Sequence, residues 1–145
     1  MKQKTIYIIG NPIVSLDAHA ISLMPFVQRT FLNYQFVHLD PTEEIDYRDK
    51  KEFIGIDTVM GIEKVMVFHT LDDFILSPRF SPHDYDLLTQ LKLLQKLGKI
   101  TTCIIIGIPT KGSKKIIQHD LKNVFSSMTL SENAKRNSYK GHTHG

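Results

Sequence analysis

Two carboxylates and one imidazole, far apart along the chain, are the side chains best suited to chemistry. They belong to Asp17, Asp57 and His83. Carboxylate oxygens and a neutral imidazole nitrogen form a suitable ligand set for a divalent transition metal. His83 lies in the first turn of a predicted helix, whose partial positive charge favours the neutral ring and its free lone pair. These three residues are therefore the candidate metal-binding and catalytic set.

Each of the three residues also has a purely structural interpretation. Asp17 could cap the first helix, and Asp57 could be a turn residue after a strand. His83 could be an exposed residue of a first helical turn. The case for a site therefore depends on whether the fold brings the three residues together.

The remaining histidines and the familiar sequence motifs offer weaker candidates. His69 ends a predicted strand and is the next candidate ligand. His38 is interpreted as a sheet residue, and His19 and His119 as helix-surface residues. His142 and His144 form a loose H-x-H pair near the C-terminus. The patterns G-x-G-x-x-G, P-loop, G-x-S-x-G and C-x-x-C are absent from the sequence.

Five short apolar runs predict the strands that would position a site. The first and last are continuously apolar, which is typical of parallel strands buried on both faces. Too few residues join the third run to the fourth for a crossover helix, so these two strands are predicted to form an antiparallel hairpin. Residues 72–80 are interpreted as a loop. The five runs cover residues 5–10, 34–39, 53–57, 64–70 and 101–108.

Three amphipathic segments predict helices. The first begins near Leu16 and contains Pro25, which should kink it. The second has start signals over Ser81-Pro82-His83-Asp84, a leucine-rich face, and Gly98 at its end. The third runs from Ser113 to about residue 128.

Strands that alternate with helices predict one α/β domain over residues 1–128, with a mostly parallel sheet covered on both faces. Residues 129–145 are interpreted as a polar C-terminal tail. Ligands of such sheets bind beyond the carboxyl ends of the strands. The loops after Gly10, Asp57 and Ile108 should therefore line any site.

Composition argues against several classes of protein. The 145-residue chain is 41% hydrophobic and 23% charged, as globular proteins are. No apolar run reaches the ~18 residues of a membrane helix, and the N-terminus lacks a signal-peptide pattern. A net charge of +3 is too small to indicate a nucleic-acid partner. The lone Cys103, expected to be buried and unreactive, fits a reducing cytoplasm.

Several short motifs follow one another in a recognisable order. A strand leads into Gly10-Asn11, and Asp17 follows six positions after that asparagine. Next come a strand ending in Asp57-Thr58-Val59 and the strand Val65-Met66-Val67-Phe68, with Leu71-Asp72-Asp73 after it. Ser81-Pro82-His83 then opens a helix, and the last strand ends in Ile106-Gly107-Ile108. Over residues 5–127 this order resembles the hydrogenase maturation endopeptidases, which trim the C-terminal extension of the large subunit of nickel–iron hydrogenases.

The resemblance implies both a fold and a function. The fold would be a three-layer α/β/α sandwich around a twisted five-stranded sheet with an antiparallel edge strand. The metal-contacting residues of that family correspond to Asp17, Asp57 and His83. The implied protein is a cytoplasmic, metal-linked endopeptidase, without a nucleotide cofactor, whose protein substrate is a hydrogenase large-subunit precursor already loaded with nickel.

Two other functions stay open. The Gly-Gly segment usual in that family is replaced by Asp40-Pro41-Thr42-Glu43-Glu44. A non-catalytic orphan member that binds a metal or a protein tail would fit this departure. A small-ligand or nucleotide-binding protein that uses the Gly10-Asn11 turn is the third interpretation, and it predicts stabilisation by a nucleotide rather than by nickel.

Overall fold

The computed structural model describes residues 3–10, 18–40, 43–45, 51–75 and 85–142. These residues form two compact units, one within residues 1–112 and one within residues 113–145. The strands are β1 (Lys4–Ile9), β2 (Tyr34–Leu39), β3 (Glu52–Val59), β4 (Met66–Phe68) and β5 (Thr102–Pro109). The helices are α1 (Ala18–Ser22), α2 (Met24–Thr30), α3 (Leu71–Ile75), α4 (Tyr85–Lys96) and α5 (Lys114–His142).

The five strands form one sheet in the order β2-β1-β3-β5-β4. The first four of these are parallel, and β4 pairs antiparallel with β5 at one edge. The predicted mostly parallel sheet with an antiparallel edge strand is therefore confirmed. β2 follows β1 in sequence and lies on one side of it, whereas β3 and the later strands lie on the other side. The boundary between β1 and β3 is thus a topological switch point, where α/β sheets bind their ligands.

Helices cover both faces of the sheet within the first unit. Successive residues of β3 point to opposite faces. On one face, Phe53 and Val59 pack in a core that includes Leu71 of α3 and Leu91 of α4. On the other face, α1 lies against β1 and β3, and α2 against β2. The three-layer α/β/α arrangement is confirmed by these contacts.

The predicted hairpin between the third and fourth strands is wrong, because β5 lies between β3 and β4. All eight residues of β3 pair with β5, from Glu52 with Thr102 to Val59 with Pro109. This long parallel pairing occupies the edge of β3 that a hairpin would need. The short connection instead passes the end of β5, and the three-residue β4 pairs on its far side.

The predicted helix end at Gly98 is confirmed, whereas the kink predicted at Pro25 is a division into two helices. The first predicted helix is divided into α1 and α2 at Leu23, and Pro25 occupies the first turn of α2, where its missing N–H costs little. Gly98 follows α4 with a φ of 72°. The Lys99 N–H donates to the Leu94 carbonyl at 2.9 Å, which closes a glycine-type C-cap. The start signals over residues 81–84 lie outside the described residues.

The predicted loop over residues 72–80 is wrong at its start, because Leu71–Ile75 form α3. The Thr70 hydroxyl accepts a hydrogen bond from the Asp73 N–H at 3.0 Å, as an N-cap residue does. Leu71 and Phe74 are buried, while the two aspartates lie in the first turn, where helices favour acidic side chains. Residues 76–80 lie outside the described part of the chain.

The last helix also differs from its prediction, since α5 continues to His142 instead of ending near residue 128. Residues 129–142, interpreted as part of a tail, are therefore helical. The polar composition of this segment does not prevent a helix. The segment contains good helix formers such as Glu132 and Lys135, and it has neither proline nor glycine before Gly141. The division into a domain over 1–128 and a tail over 129–145 stays a prediction. None of the helices within the described ranges has the length and apolar character to cross a membrane.

Gly107 allows close packing between β5 and its neighbours. A Cβ atom placed there would lie 2.9 Å from Cε2 of Phe68 and 3.1 Å from Cγ2 of Val59. Phe68 itself is buried and packs edge-on against Phe74, with ring centroids 5.5 Å apart. Because the ring is held on both sides, it has little room to retreat from an added methyl group.

We therefore expect Gly107→Ala to lower the free energy of unfolding by about 1–3 kcal/mol, as overpacked cores do. Urea unfolding measures the change. Gly98→Asn is the control, because asparagine tolerates positive φ and no atom lies within 4 Å of a Cβ there. It should cost less than about 1 kcal/mol. Equal losses in the two variants would contradict the packing argument.

The thiol of Cys103 is buried, and burial raises its pKa to about 12. Only the thiolate reacts with alkylating reagents, so the native protein should resist iodoacetamide at about pH 8. Reaction should become fast once urea exposes the side chain. Mass spectrometry of the labelled protein measures both rates, and rapid native labelling would contradict the assigned burial.

Candidate functional site

Asp57 lies within β3 and not after it, since the strand continues to Val59 and pairs Asp57 with Gly107. Its side chain is 1% exposed. The interpretation of Asp57 as a turn residue is therefore wrong. An aspartate this deeply buried is uncommon, because removing a carboxylate from water is costly unless its surroundings compensate.

The cavity beside Asp57 is lined mainly by apolar side chains. The residue borders a small cavity together with Ile9, Leu71, Phe74, Leu87, Leu88, Leu91 and Ile105. The cavity therefore joins the end of β1 and the middle of β5 to α3 and the first half of α4. In such a low-dielectric environment, a cation near the carboxylate would be held much more strongly than in water.

Two hydrogen bonds attach α1 to the sheet beside Asp57. The Ala20 N–H donates to the Thr58 hydroxyl at 3.0 Å, and this bond is buried. His19 Nδ1 lies 2.7 Å from the carbonyl oxygen of Pro109, the last residue of β5. The first turn of α1 is therefore fixed at the carboxyl ends of β3 and β5.

His19 was interpreted as a helix-surface residue, and this is wrong. Its side chain is half-buried, and it bridges α1 to β5. The neighbouring Ala20 is fully buried, which lets the helix approach the sheet closely. The small residues on both sides, Ala18 and Ala20, were the available sign that this turn packs against another element.

Of the three predicted site residues, Asp57 is described, whereas Asp17 and His83 lie outside the described residues. The helices that follow them in sequence are described. Asp17 directly precedes α1, whose Ala20 N–H donates to the hydroxyl of Thr58, the residue after Asp57. His83 precedes α4 by two residues, and Leu87 and Leu88 of that helix border the Asp57 cavity. Among the residues that the structure describes, no three His, Cys, Asp or Glu side chains form a metal-binding group.

The other histidines fall at different ends of the sheet. His69 follows β4, which runs antiparallel, so it lies toward the amino ends of the parallel strands and away from Asp57. His38 is confirmed as a sheet residue, and its Nε2–H donates to the Gly10 carbonyl at 2.7 Å. His119 is confirmed as an exposed helix residue. His142 belongs to α5, and His144 lies beyond the described residues.

The described geometry provides a buried carboxylate at the switch point and a neighbouring helix attached to the same strand ends. Such a site can attract a cation and exclude water from it. Cys103 is unsuited to act as a nucleophile, because burial keeps its thiol protonated.

Comparison with solved structures reveals the same fold elsewhere. The hydrogenase maturating endopeptidase HybD from E. coli superposes with a TM-score of 0.61 over 89% of this chain and 94% of that protein, at 15% sequence identity. An endopeptidase from Escherichia coli, solved in solution, superposes with a TM-score of 0.50 over 74% of each chain, at 14% identity.

Sequence comparisons find no such match. No protein-family model matches the chain, and no curated protein matches it significantly. At 14–15% identity the two structural matches establish a common fold. The resemblance suggested by the order of the motifs is therefore confirmed in the architecture, which is that of the HybD endopeptidase.

Proposed function

We propose that this protein is a metal-linked endopeptidase that removes the C-terminal extension of a nickel–iron hydrogenase large subunit, with Asp17, Asp57 and His83 as its metal-contacting and catalytic residues. The observation that carries the proposal is the buried carboxylate of Asp57 at the switch point of a HybD-like fold. The protein substrate is inferred from the two E. coli endopeptidases of similar fold.

The donor chemistry of the three side chains fits a divalent transition metal. Two carboxylates supply negative charge, and an imidazole supplies the nitrogen that nickel and zinc accept. The apolar cavity wall beside Asp57 contributes no competing ligand. The nickel is regarded as part of the substrate, already installed in the hydrogenase subunit before the chain is cut.

A divalent metal at such a site polarises the scissile carbonyl or makes a nearby water more acidic. Asp57 would hold the cation from the strand, and its burial keeps bulk water from weakening the attraction. Asp17 would add the second carboxylate from the start of α1. His83, near the start of α4, would add the nitrogen and face the same cleft.

The cell compartment forms part of the same proposal. A lone, buried cysteine is compatible with the reducing cytoplasm. The alternative within this fold is a non-catalytic module that binds the metal or a protein tail without cutting it. Binding and cleavage experiments separate the two.

The first test measures metal binding. Saturation with Ni²⁺ or Cd²⁺ at about one hundred times Kd should raise the melting temperature by about 5–10 °C, because a ligand of the folded state stabilises it by mass action. His83→Ala and Asp57→Asn should each remove most of that rise. Differential scanning calorimetry measures it directly.

Two controls separate this site from other binders. Asp73→Asn changes an exposed aspartate on α3 and should leave the stabilisation intact. Deletion of residues 141–145 removes the H-x-H pair and should also leave it intact. If the deletion abolishes the rise and His83→Ala does not, the tail is the binder and the proposed site is wrong. Stabilisation by a nucleotide alone would support the third interpretation instead.

The second test measures cleavage. The protein should shorten a nickel-loaded large-subunit precursor from the same genome, and Asp17→Asn should stop the reaction, because it removes a charge without changing the shape. Electrophoresis of the precursor follows the reaction, and circular dichroism checks that the variant is folded.

Two results would overturn parts of this proposal. Cleavage that persists undiminished in both Asp17→Asn and Asp57→Asn would show that the carboxylates are not catalytic. Absence of cleavage of every precursor tested, with metal binding intact, would identify the protein as the non-catalytic module.

A further inference from the structure

The side-chain amide of Gln90 joins α4 to the backbone that follows β2. Its oxygen accepts a hydrogen bond from the Ile45 N–H at 2.6 Å, and its nitrogen donates to the Glu43 carbonyl at 3.2 Å. A backbone N–H can only donate and a carbonyl can only accept, so these two partners determine which way the amide points. The amide therefore pairs with this backbone as a neighbouring strand would.

Residues 43–45 are themselves attached to the carboxyl end of β2. Asp40 directly follows Leu39, the last residue of that strand. The Glu43 N–H donates to the Asp40 carbonyl at 2.9 Å, and the Asp40 N–H donates to the Glu43 carboxylate at 3.3 Å. This reciprocal pair closes a turn, so a short series of hydrogen bonds connects Gln90 to the sheet.

The same segment packs on the face of the sheet where Asp57 borders its cavity. Ile45 is 5% exposed and belongs to the core cluster that contains the apolar residues bordering that cavity. Three of these residues are leucines of α4 that precede or follow Gln90, namely Leu87, Leu88 and Leu91. Gln90 therefore attaches the part of α4 that forms a wall of the cavity.

Apolar packing alone would define the position of α4 only loosely. Contacts between aliphatic side chains are non-directional, so they oppose separation of the helix from the sheet more than its rotation or sliding. Hydrogen bonds have preferred distances and angles, and two bonds on one amide restrict both movements. α4 has 12 residues, a length at which isolated helices are marginal in water, so its position depends on such tertiary contacts.

We propose that Gln90 is a positioning residue, whose amide fixes the α4 wall of the Asp57 cavity by holding that helix to residues 43–45. This inference rests on the proposed function, because it gives Gln90 a role toward the cation that Asp57 would hold. Gln90 acts through α4 and is not itself a ligand. A displaced wall would admit water beside the carboxylate, and water weakens the attraction between the carboxylate and a cation.

Three substitutions test the role of the amide. Gln90→Met keeps a similar length and removes both hydrogen bonds. In Gln90→Glu, a carboxylate still accepts from the Ile45 N–H but cannot donate to the Glu43 carbonyl. Gln95→Met is the matched control, because it makes the same change at another half-buried glutamine of α4, beyond the leucines that border the cavity. Circular dichroism checks that each variant is folded.

The first readout is hydrogen exchange, and it needs no metal. Exchange of the Ile45 amide should be at least about tenfold faster in Gln90→Met, because its acceptor is lost. Gln90→Glu should show a smaller increase, and Gln95→Met should match the wild type. Wild-type exchange in Gln90→Met would overturn the proposal, since the amide would then not hold the segment.

The second readout is the methyl NMR signal of Leu88, which reports on the cavity wall. Leu88 borders the cavity together with the Phe74 ring, so its signal depends on the distance between the two side chains. It is neither three nor four positions from Gln90 or Gln95, so neither substitution touches it directly along the helix. The signal should move in Gln90→Met and stay in Gln95→Met. Faster Ile45 exchange with an unmoved Leu88 signal would overturn the proposal.

The third readout is metal binding. Titration calorimetry should show affinity for Ni²⁺ and Cd²⁺ about tenfold weaker in Gln90→Met, at the lower end of what residues that orient metal ligands cause, and little changed in Gln95→Met. The cadmium-113 signal of the bound metal should shift in Gln90→Met, which a general loss of stability would not produce.

Failure of this proposal and failure of the proposed function give different results. If the wild type binds metal and Gln90→Met changes neither the affinity nor the cadmium signal, Gln90 does not serve the site and the proposal is overturned. If the wild type binds neither metal, the proposed function has failed and the role of Gln90 toward a cation fails with it. The Ile45 exchange and the Leu88 signal then still decide whether Gln90 fixes the wall.

Discussion

The pairing of β3 with β5 is the constraint on which the rest of the structure depends. Eight consecutive residues of each strand are in parallel register, and both strands are buried over most of their length. Because β5 occupies one side of β3, the chain that leaves β3 must pass to the far edge. The same pairing holds Asp57 opposite Gly107. It also places Val59 beside Pro109 at the carboxyl ends of the two strands, where α1 is hydrogen-bonded.

Asp57 illustrates how burial and topology combine at the candidate site. Its position on β3 places it next to the switch point, and the alternation of the strand turns it toward the apolar layer of α3 and α4. The fold thus removes one carboxyl group from water and exposes it to an apolar cavity, an arrangement that the local sequence alone does not indicate.

Much of the fold could be predicted from short patterns. The apolar runs that form strands, and the helix boundaries at Pro25 and Gly98, depend on neighbouring residues only. The strand that pairs with β4 could not be predicted. That pairing depends on β5, which begins more than 40 residues after the end of β3 and occupies the edge of β3 that β4 would need. The position of Asp57 on the third strand could be predicted, whereas its burial could not, because the strand continues for two residues beyond it. His19 escaped notice because its acceptor is a backbone carbonyl, which no side-chain pattern marks.

The parallel strands also determine how this chain can reach its native state. Lys4 pairs with Tyr34, 30 residues on, and Glu52 pairs with Thr102, 50 residues on. No two adjacent strands of the described sheet form a local hairpin. Every ladder must close a long loop before its hydrogen bonds repay the lost entropy, so folding should be slow, roughly milliseconds to seconds. During that interval, the isoleucine-rich segments of β1 and β5 would be exposed to other chains, which makes the newly made protein dependent on dilution or on chaperones.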